Sequence, residues 1–161
     1  MPRAPIVVVL QNIRSSYNVG SIFRTADAMR VELLVLTGYT PVPPNDAIAK
    51  TALGADRTVP WEQHASTVDA VLTLKQRGYT VLAVELTEDS RDISTLSGSD
   101  LPVALVLGNE LGGVTDDVLA VCDGAVEIPM YGVKHSLNVA VAAGIALYAA
   151  SQAWMTTQET P

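Results

Sequence analysis

The chain has 161 residues, 48% of them hydrophobic and 17% charged, with a formal net charge of −7. That length suits one domain with a sizeable core, and the apolar content excludes a disordered chain. The acidic balance argues against a broad nucleic-acid-binding surface, which is normally basic. The single cysteine, Cys122, excludes an intramolecular disulfide.

Met1 to Pro5 lead directly into a strand pattern with no small-residue cleavage site, so no signal peptide is expected and the cytoplasm follows by default. Ile6 to Leu10 is a continuous, largely β-branched run that reads as a strand buried on both faces. Helical periodicity from Asn18 to Arg30 places Ile22, Ala26 and Met29 on one face. Leu33 to Leu36 is a second buried strand, ended by Gly38 and a loop containing Pro41, Pro43 and Pro44. A short helix over Asp46 to Ala52 and a short strand over Thr58 to Trp61 follow. Val68 to Arg77 reads as an amphipathic helix stopped by Gly78, and Thr80 to Leu86 as a strand. After a polar segment through Gly98 come a buried strand at Val103 to Leu107, a short helix at Thr115 to Val121 and a strand at Ala125 to Ile128. The last element is an Ala-rich helix from Ser136, its expected N-cap, to about Ala153.

Strands apolar along their whole length, alternating with helices, predict an α/β fold: an open, mostly parallel sheet with helices on both faces. Residues 1–155 are expected to form a single domain and 156–161 a frayed tail. No uninterrupted apolar run is expected to span a bilayer, because Gln11, Arg14, Ser136 and Asn138 break the best candidates. His64 and His135 stand far apart with no further ligand at metal-binding spacing, so no metal is expected. Cys122, flanked by Ala120 and Val121, reads as a buried thiol.

In parallel sheets, ligands gather beyond the carboxyl ends of the strands, and three polar loops fall there. The first, Gln11 to Asp27, holds Asn12, Arg14, Asn18 and Arg24. At about 100° per residue Arg24 lies about 200° round from Ile22, off the core face, where its guanidinium can reach an anion. The ordinary alternative is an Arg24–Asp27 surface pair worth a few tenths of a kcal/mol. The second loop, Leu107-Gly-Asn-Glu-Leu-Gly-Gly113, lets the backbone approach a ligand closely but matches neither common phosphate-binding glycine pattern. Glu110 makes a cationic or neutral ligand a better fit than a polyphosphate, the alternative being a tight turn with a solvated carboxylate. The third loop, Ile128 to Asn138, joins a strand to the last helix and carries polar residues without an evident folding role.

Taken together, Asn18-Val-Gly-Ser-Ile-Phe-Arg24-Thr-Ala-Asp27 with the preceding Asn12 to Arg14, then Leu107 to Gly113, then Ile128-Pro-Met with Ser136-Leu-Asn138, resemble the three motifs of the SpoU (TrmH) class of SPOUT-superfamily RNA methyltransferases. Order and spacing agree over nearly the whole chain. The resemblance implies a C-terminal trefoil knot, a feature no sequence pattern proposes because threaded chains are rare. It also implies S-adenosylmethionine-dependent methylation of a ribose 2′-hydroxyl in tRNA or rRNA, and a homodimer. The cofactor would then lie among Glu85, Leu86, Gly108, Asn109, Glu110, Gly112, Ile128, Met130, Ser136 and Leu137. Arg24 would activate the hydroxyl, with Asn18, Ser136 and Asn138 orienting it.

A guanidinium is a poor base, since its pKa exceeds about 12. Two roles for Arg24 therefore stay open: a base after unusual desolvation beside a sulfonium, or a cation that steers phosphate and stabilises a developing alkoxide. Basic residues are concentrated in residues 1–60 (Arg3, Arg14, Arg24, Arg30, Lys50, Arg57), and after Arg91 only Lys134 follows. Arg14, Lys134 and His135 are accordingly the expected RNA contacts, against the alternative that the last two are plain solvated loop residues. Members of this class often carry an added RNA-binding domain, which is not expected here. In the last helix, Ala140, Ala143, Gly144 and Ala146 suit close packing, between subunits or within one chain. The other functions compatible with these residues are a non-catalytic nucleotide- or RNA-binding module of the same fold, and a small α/β enzyme acting on a nucleoside-like compound.

Overall fold

The computed structural model describes residues 1–159. Among these residues, seven strands form one sheet in the order β3-β2-β1-β6-β4-β7-β5, and every pair is parallel. The strands are β1 (Ala4–Gln11), β2 (Val31–Thr37), β3 (Trp61–His64), β4 (Thr80–Val84), β5 (Arg91–Asp92), β6 (Val103–Leu107) and β7 (Gly124–Glu127). The α-helices are α1 (Ser16–Ala28), α2 (Asp46–Ala52), α3 (Thr67–Gln76), α4 (Asp116–Val121) and α5 (Val139–Glu159).

The reason β1 reads as unbroken apolar sequence is visible in its packing. Ile6, Val8 and Leu10 enter a core with α1, α2 and α5, whereas Val7 and Val9 enter a second core with α3 and α4 on the opposite face. In the first core, Gly20 of α1 lies so close to α2 that a Cβ there would overlap the Ile48 carbonyl and the Thr51 hydroxyl. From β1 the chain winds outward through β2 to β3, while β6 connects past β4 to β7. The winding thus reverses between β1 and β6, and the crevice beyond their carboxyl ends is where an open α/β sheet receives ligands.

Four of the departures from the expected elements stand out. The strand expected at Thr58 to Trp61 lies at Trp61–His64, because a 3-10 turn occupies Ala55–Arg57 and Pro60, lacking an N–H, contributes only its carbonyl, to Leu34. The polar segment before Gly98 contains β5, a two-residue edge strand on β7, beside an Arg91–Asp100 ion pair of 2.6 Å. The strand expected through Leu86 ends at Val84, where Glu85 and Leu86 turn into a loop. The last helix starts at Val139 rather than Ser136 and runs through Glu159; Thr160 and Pro161 lie outside the described residues.

By length and composition α5 is apolar enough to cross a membrane, which corrects the expectation that no such run exists: Ser136 and Asn138 precede the helix and do not interrupt it. Its inner side, with Ala143, Ala146, Leu147, Ala150 and Trp154, is buried in this fold. Gly144 faces open space, so the small residues divide between packing inside the chain and the surface. Cys122, partly buried against the second core, has its thiol pushed up to about 11, first by burial and then by the adjacent Asp123. It is therefore protonated at neutral pH. The expected result is slow reaction of the native chain with an aromatic disulfide reagent at pH 8 and fast reaction after unfolding in urea.

Candidate functional site

Loops leaving the carboxyl ends of β4, β6 and β7 enclose a cavity of ≈ 340 Å³. Every residue expected at a cofactor lines it: Glu85 and Leu86 after β4, Gly108, Asn109, Glu110 and Gly112 after β6, and Ile128, Met130, Ser136 and Leu137 after β7. His135, expected as an RNA contact, lines the same cavity. Glu127, Val139 and Ala142 also line the wall and were not expected. Glu127 has a usable signal, as the last residue of a parallel strand; the other two belong to a helix whose start was misplaced.

The glycine-rich loop owes its shape to contacts that only these residues permit. The Asn109 Oδ1 accepts from the backbone N–H groups of Leu111 (2.8 Å) and Gly112 (3.3 Å), and the Gly113 N–H donates to the Asn109 carbonyl at 2.8 Å. Gly113 has φ +65°, and a Cβ on Gly108 would overlap the backbone of Gly113 and Val114. Glu85 anchors the far end of the loop, its Oε2 accepting from the Val114 N–H at 3.1 Å. Across the β1–β6 crevice, the Gln11 Nε2 donates to the Thr115 hydroxyl at 2.7 Å and its Oε1 accepts from the Thr115 N–H at 3.2 Å. The Asn109 Nδ2 donates to the Asn12 carbonyl and to the Tyr39 hydroxyl, both at 2.8 Å. The amide of Asn109 is thus engaged in building the cavity wall.

One chain of hydrogen bonds joins the three polar loops. The Asn138 Nδ2 donates to the Asn18 Oδ1 at 3.3 Å, and the Asn18 Nδ2 donates to the Glu110 Oε1 at 3.3 Å. Asn138 also caps α5, its Oδ1 accepting from the N–H groups of Ala140 (2.8 Å) and Val141 (3.3 Å). It takes the capping role expected of Ser136 because the loop stays non-helical through Asn138, which leaves Ser136 free to line the cavity. Ser15 caps α1 in the same way, accepting from the Asn18 N–H at 3.2 Å, and so fixes where Asn18 sits. Loss of a cap costs about 0.5–2 kcal/mol. Asn138→Ala is therefore expected to destabilise the fold by about 1 kcal/mol in urea denaturation, whereas Asn138→Asp retains the cap and loses only the donor to Asn18.

Arg24 is exposed on α1 and stands outside the cavity wall. It lies six residues beyond Asn18, which is about 9 Å along the helix and about 240° around it. The alternative pairing with Asp27 is not made: Asp27 accepts from the Thr58 hydroxyl at 3.0 Å, and Arg24 has no hydrogen-bond or ion-pair partner among the described residues. Arg14 and Lys134 are likewise exposed and without partners among the described residues. The structure thus gathers Asn18, Asn138, Glu110 and Ser136 around the cavity mouth and leaves Arg24, Arg14 and Lys134 as free cations outside it.

Glu85, Glu110 and Glu127 line the cavity, with His135 as the one titratable nitrogen among its lining side chains. Carboxylates at that density favour a ligand carrying positive charge and disfavour a polyphosphate. Size, glycine-shaped backbone and charge together define a pocket for a small cationic organic molecule at the switch point of a parallel α/β sheet.

Proteins of one known family share this design. The model of the SpoU rRNA methylase family matches residues 5–148. The tRNA (guanosine(18)-2′-O)-methyltransferase of Thermus thermophilus is 36% identical over 147 residues, covering 91% of this chain and 74% of that protein. Among solved structures, the TrmH/SpoU tRNA-modifying enzyme of A. aeolicus superposes with a TM-score of 0.86 at 30% identity, over 98% of this chain and 79% of that one. An AdoMet-bound rRNA methyltransferase from Sinorhizobium meliloti superposes with a TM-score of 0.84 at 28% identity, over 91% of this chain and 56% of that one. The chain belongs to the SpoU rRNA methylase family, and its fold is that of the SPOUT methyltransferases.

Proposed function

We propose that this protein transfers a methyl group from S-adenosylmethionine to a ribose 2′-hydroxyl of tRNA or rRNA. The observation that carries the reading is the Asn138–Asn18–Glu110 hydrogen-bond chain, which ties the three motif loops together at the mouth of one glycine-walled, carboxylate-bearing cavity. The names of the relatives support it.

The cavity suits the cofactor on two counts. Its volume falls in the range of small-molecule sites, about 300–1,000 Å³, and its carboxylates complement a sulfonium. When bound, the cofactor supplies an electrophilic methyl carbon on a positively charged sulfur. The backbone of Gly108 to Gly113, with Leu86, Ile128, Met130 and Leu137, would hold it from the β4, β6 and β7 loops. Asn18, Asn138 and Ser136 orient the ribose, so that its oxygen lies at near-attack distance; positioning of this kind supplies most of the rate in a bimolecular displacement. Arg24, exposed outside the cavity wall, approaches the target from the RNA side and either, deprotonated by desolvation in the complex, takes the hydroxyl proton or, as a cation, stabilises the charge that develops on the oxygen. Arg14, Lys134 and His135 contact phosphates near the mouth.

The same reading makes residues 1–155 one SPOUT domain, with the segment around α5 threaded as a trefoil knot, and places the protein in the cytoplasm with its RNA. It also makes the protein a homodimer. Val141, Ile145 and Tyr148 form an exposed apolar row at helical spacing on α5, being 52%, 38% and 57% exposed, and such a row suits a second copy. Nothing in the site favours a non-catalytic module, because Asn18, Arg24, Ser136 and Asn138 are all present.

The test is a map of ribose methylation across total RNA from cells with and without the gene, paired with transfer of labelled methyl to RNA by the purified protein. Loss of one or a few defined sites is the expected result and names the substrate. Identical maps, together with no transfer in vitro, would overturn the reading.

A further inference from the structure

We infer that Tyr39 is a stacking platform for an RNA base flanking the target nucleotide, an inference that rests on the methyltransferase reading above. Tyr39 follows β2 at the same carboxyl end of the sheet as the cavity loops, and the residue is 61% exposed. It is nonetheless held at both ends. Its backbone N–H donates to the Asn12 Oδ1 at 3.1 Å, and its hydroxyl accepts from the Asn109 Nδ2 at 2.8 Å. The turn beneath it is pinned as well: the buried Thr40 hydroxyl accepts from the Ile13 N–H at 3.0 Å and donates to the Leu10 carbonyl at 3.1 Å. The ring therefore stands in one orientation while most of its surface stays in solvent, which contributes little to folding and pre-organises a face for a planar partner.

Two neighbours indicate what that partner is. Asn109 lines the cavity, so the ring lies one hydrogen bond from the cofactor wall. Arg14, an exposed cation without a partner among the described residues, leaves the same Asn12–Ile13 turn that holds Tyr39. An aromatic face with an unpaired cation on the adjoining turn is a combination that suits single-stranded RNA, the ring taking a base and the cation a phosphate.

The competing role is a strut whose hydroxyl merely fixes Asn109, and three measurements on Tyr39→Phe and Tyr39→Ala separate the two. These are binding of fluorescein-labelled bulk tRNA and, in parallel, of fragmented rRNA, both from cells lacking the gene; calorimetric binding of S-adenosylmethionine; and thermal melting. Stacking predicts that Tyr39→Ala binds RNA about 10-fold or more weakly, that Tyr39→Phe stays within about 2-fold of wild type because the ring is retained, and that cofactor affinity is unchanged in both. Wild-type RNA affinity in Tyr39→Ala, or a parallel loss of RNA and cofactor affinity in both variants, would overturn stacking alone. Failure of the wild-type protein to bind either RNA would overturn the RNA-methylation reading and stacking with it.

Discussion

Arg24→Ala is expected to lower methyl transfer to RNA by about 10²–10⁴-fold, the range lost when a proton-transfer group or a charge-stabilising donor is removed. The fold is expected to tolerate it. Arg24 is exposed and has no hydrogen-bond or ion-pair partner among the described residues, so its removal should change stability by no more than about 0.5 kcal/mol. Because Arg24 stands outside the cavity wall, calorimetric affinity for S-adenosylmethionine should also be unchanged. The combination of lost turnover, retained cofactor binding and retained melting temperature is diagnostic of a group acting on the substrate. Arg24→Lys then divides the two chemical roles. A lysine keeps the charge that steers phosphate and stabilises an alkoxide, so partial activity with a flat pH–rate profile in both proteins supports the electrostatic role. An ionisation in the profile that shifts between wild type and variant supports the base.

Gly108→Ala is expected to abolish cofactor binding to within detection and to destabilise the fold by about 1–3 kcal/mol, the cost of forcing extra atoms into a packed site. The Cβ would overlap the carbonyl of Gly113 and the N–H of Val114, which are backbone atoms held by the Asn109 turn on one side and by Glu85 on the other. No side chain can rotate away to relieve the overlap, so the loop itself must move, and a displacement near 1 Å at a reacting site costs about 10²-fold in rate. Gly112→Ala is the control. A Cβ there meets no protein atom within 4 Å and the residue carries no positive φ, so a near wild-type melting temperature is expected. Equal effects of the two substitutions in thermal denaturation would show that the loop is not a rigid cradle.

The individual elements show why sequence patterns reached some features and not others. Asp46–Ala52 was legible to the residue, because Asn45 caps it by accepting from the N–H groups of Ala47 and Ile48, a local interaction written in adjacent residues. The start of α5 was not. Ser136 and Asn138 are both competent caps, and the choice of Asn138 follows from an eleven-residue loop, Ile128 to Asn138, closing over the β6 loop. β5 escaped notice because two polar residues at a sheet edge carry no hydrophobic period; their pairing with β7 is a tertiary event. Tyr39 escaped for the same reason, since nothing in the turn after β2 reveals that Asn12 and Asn109 meet it.

By itself, the sequence determined that this is an acidic, two-face-buried parallel α/β protein, and its three motifs named both the family and the residues of one cavity. Hydrophobic period, glycine placement and short motifs are local properties, and a linear chain displays them directly. Only the tertiary structure decided that Asn18, Glu110 and Asn138 form one hydrogen-bond chain, that Arg24 stands outside the cavity wall, and that Tyr39 is locked beside it. These are relations between side chains up to 120 positions apart, created by the winding order of the strands. No local pattern encodes the distance between such residues, because it arises only when the loops of β1, β2, β6 and β7 are brought to the same end of one sheet.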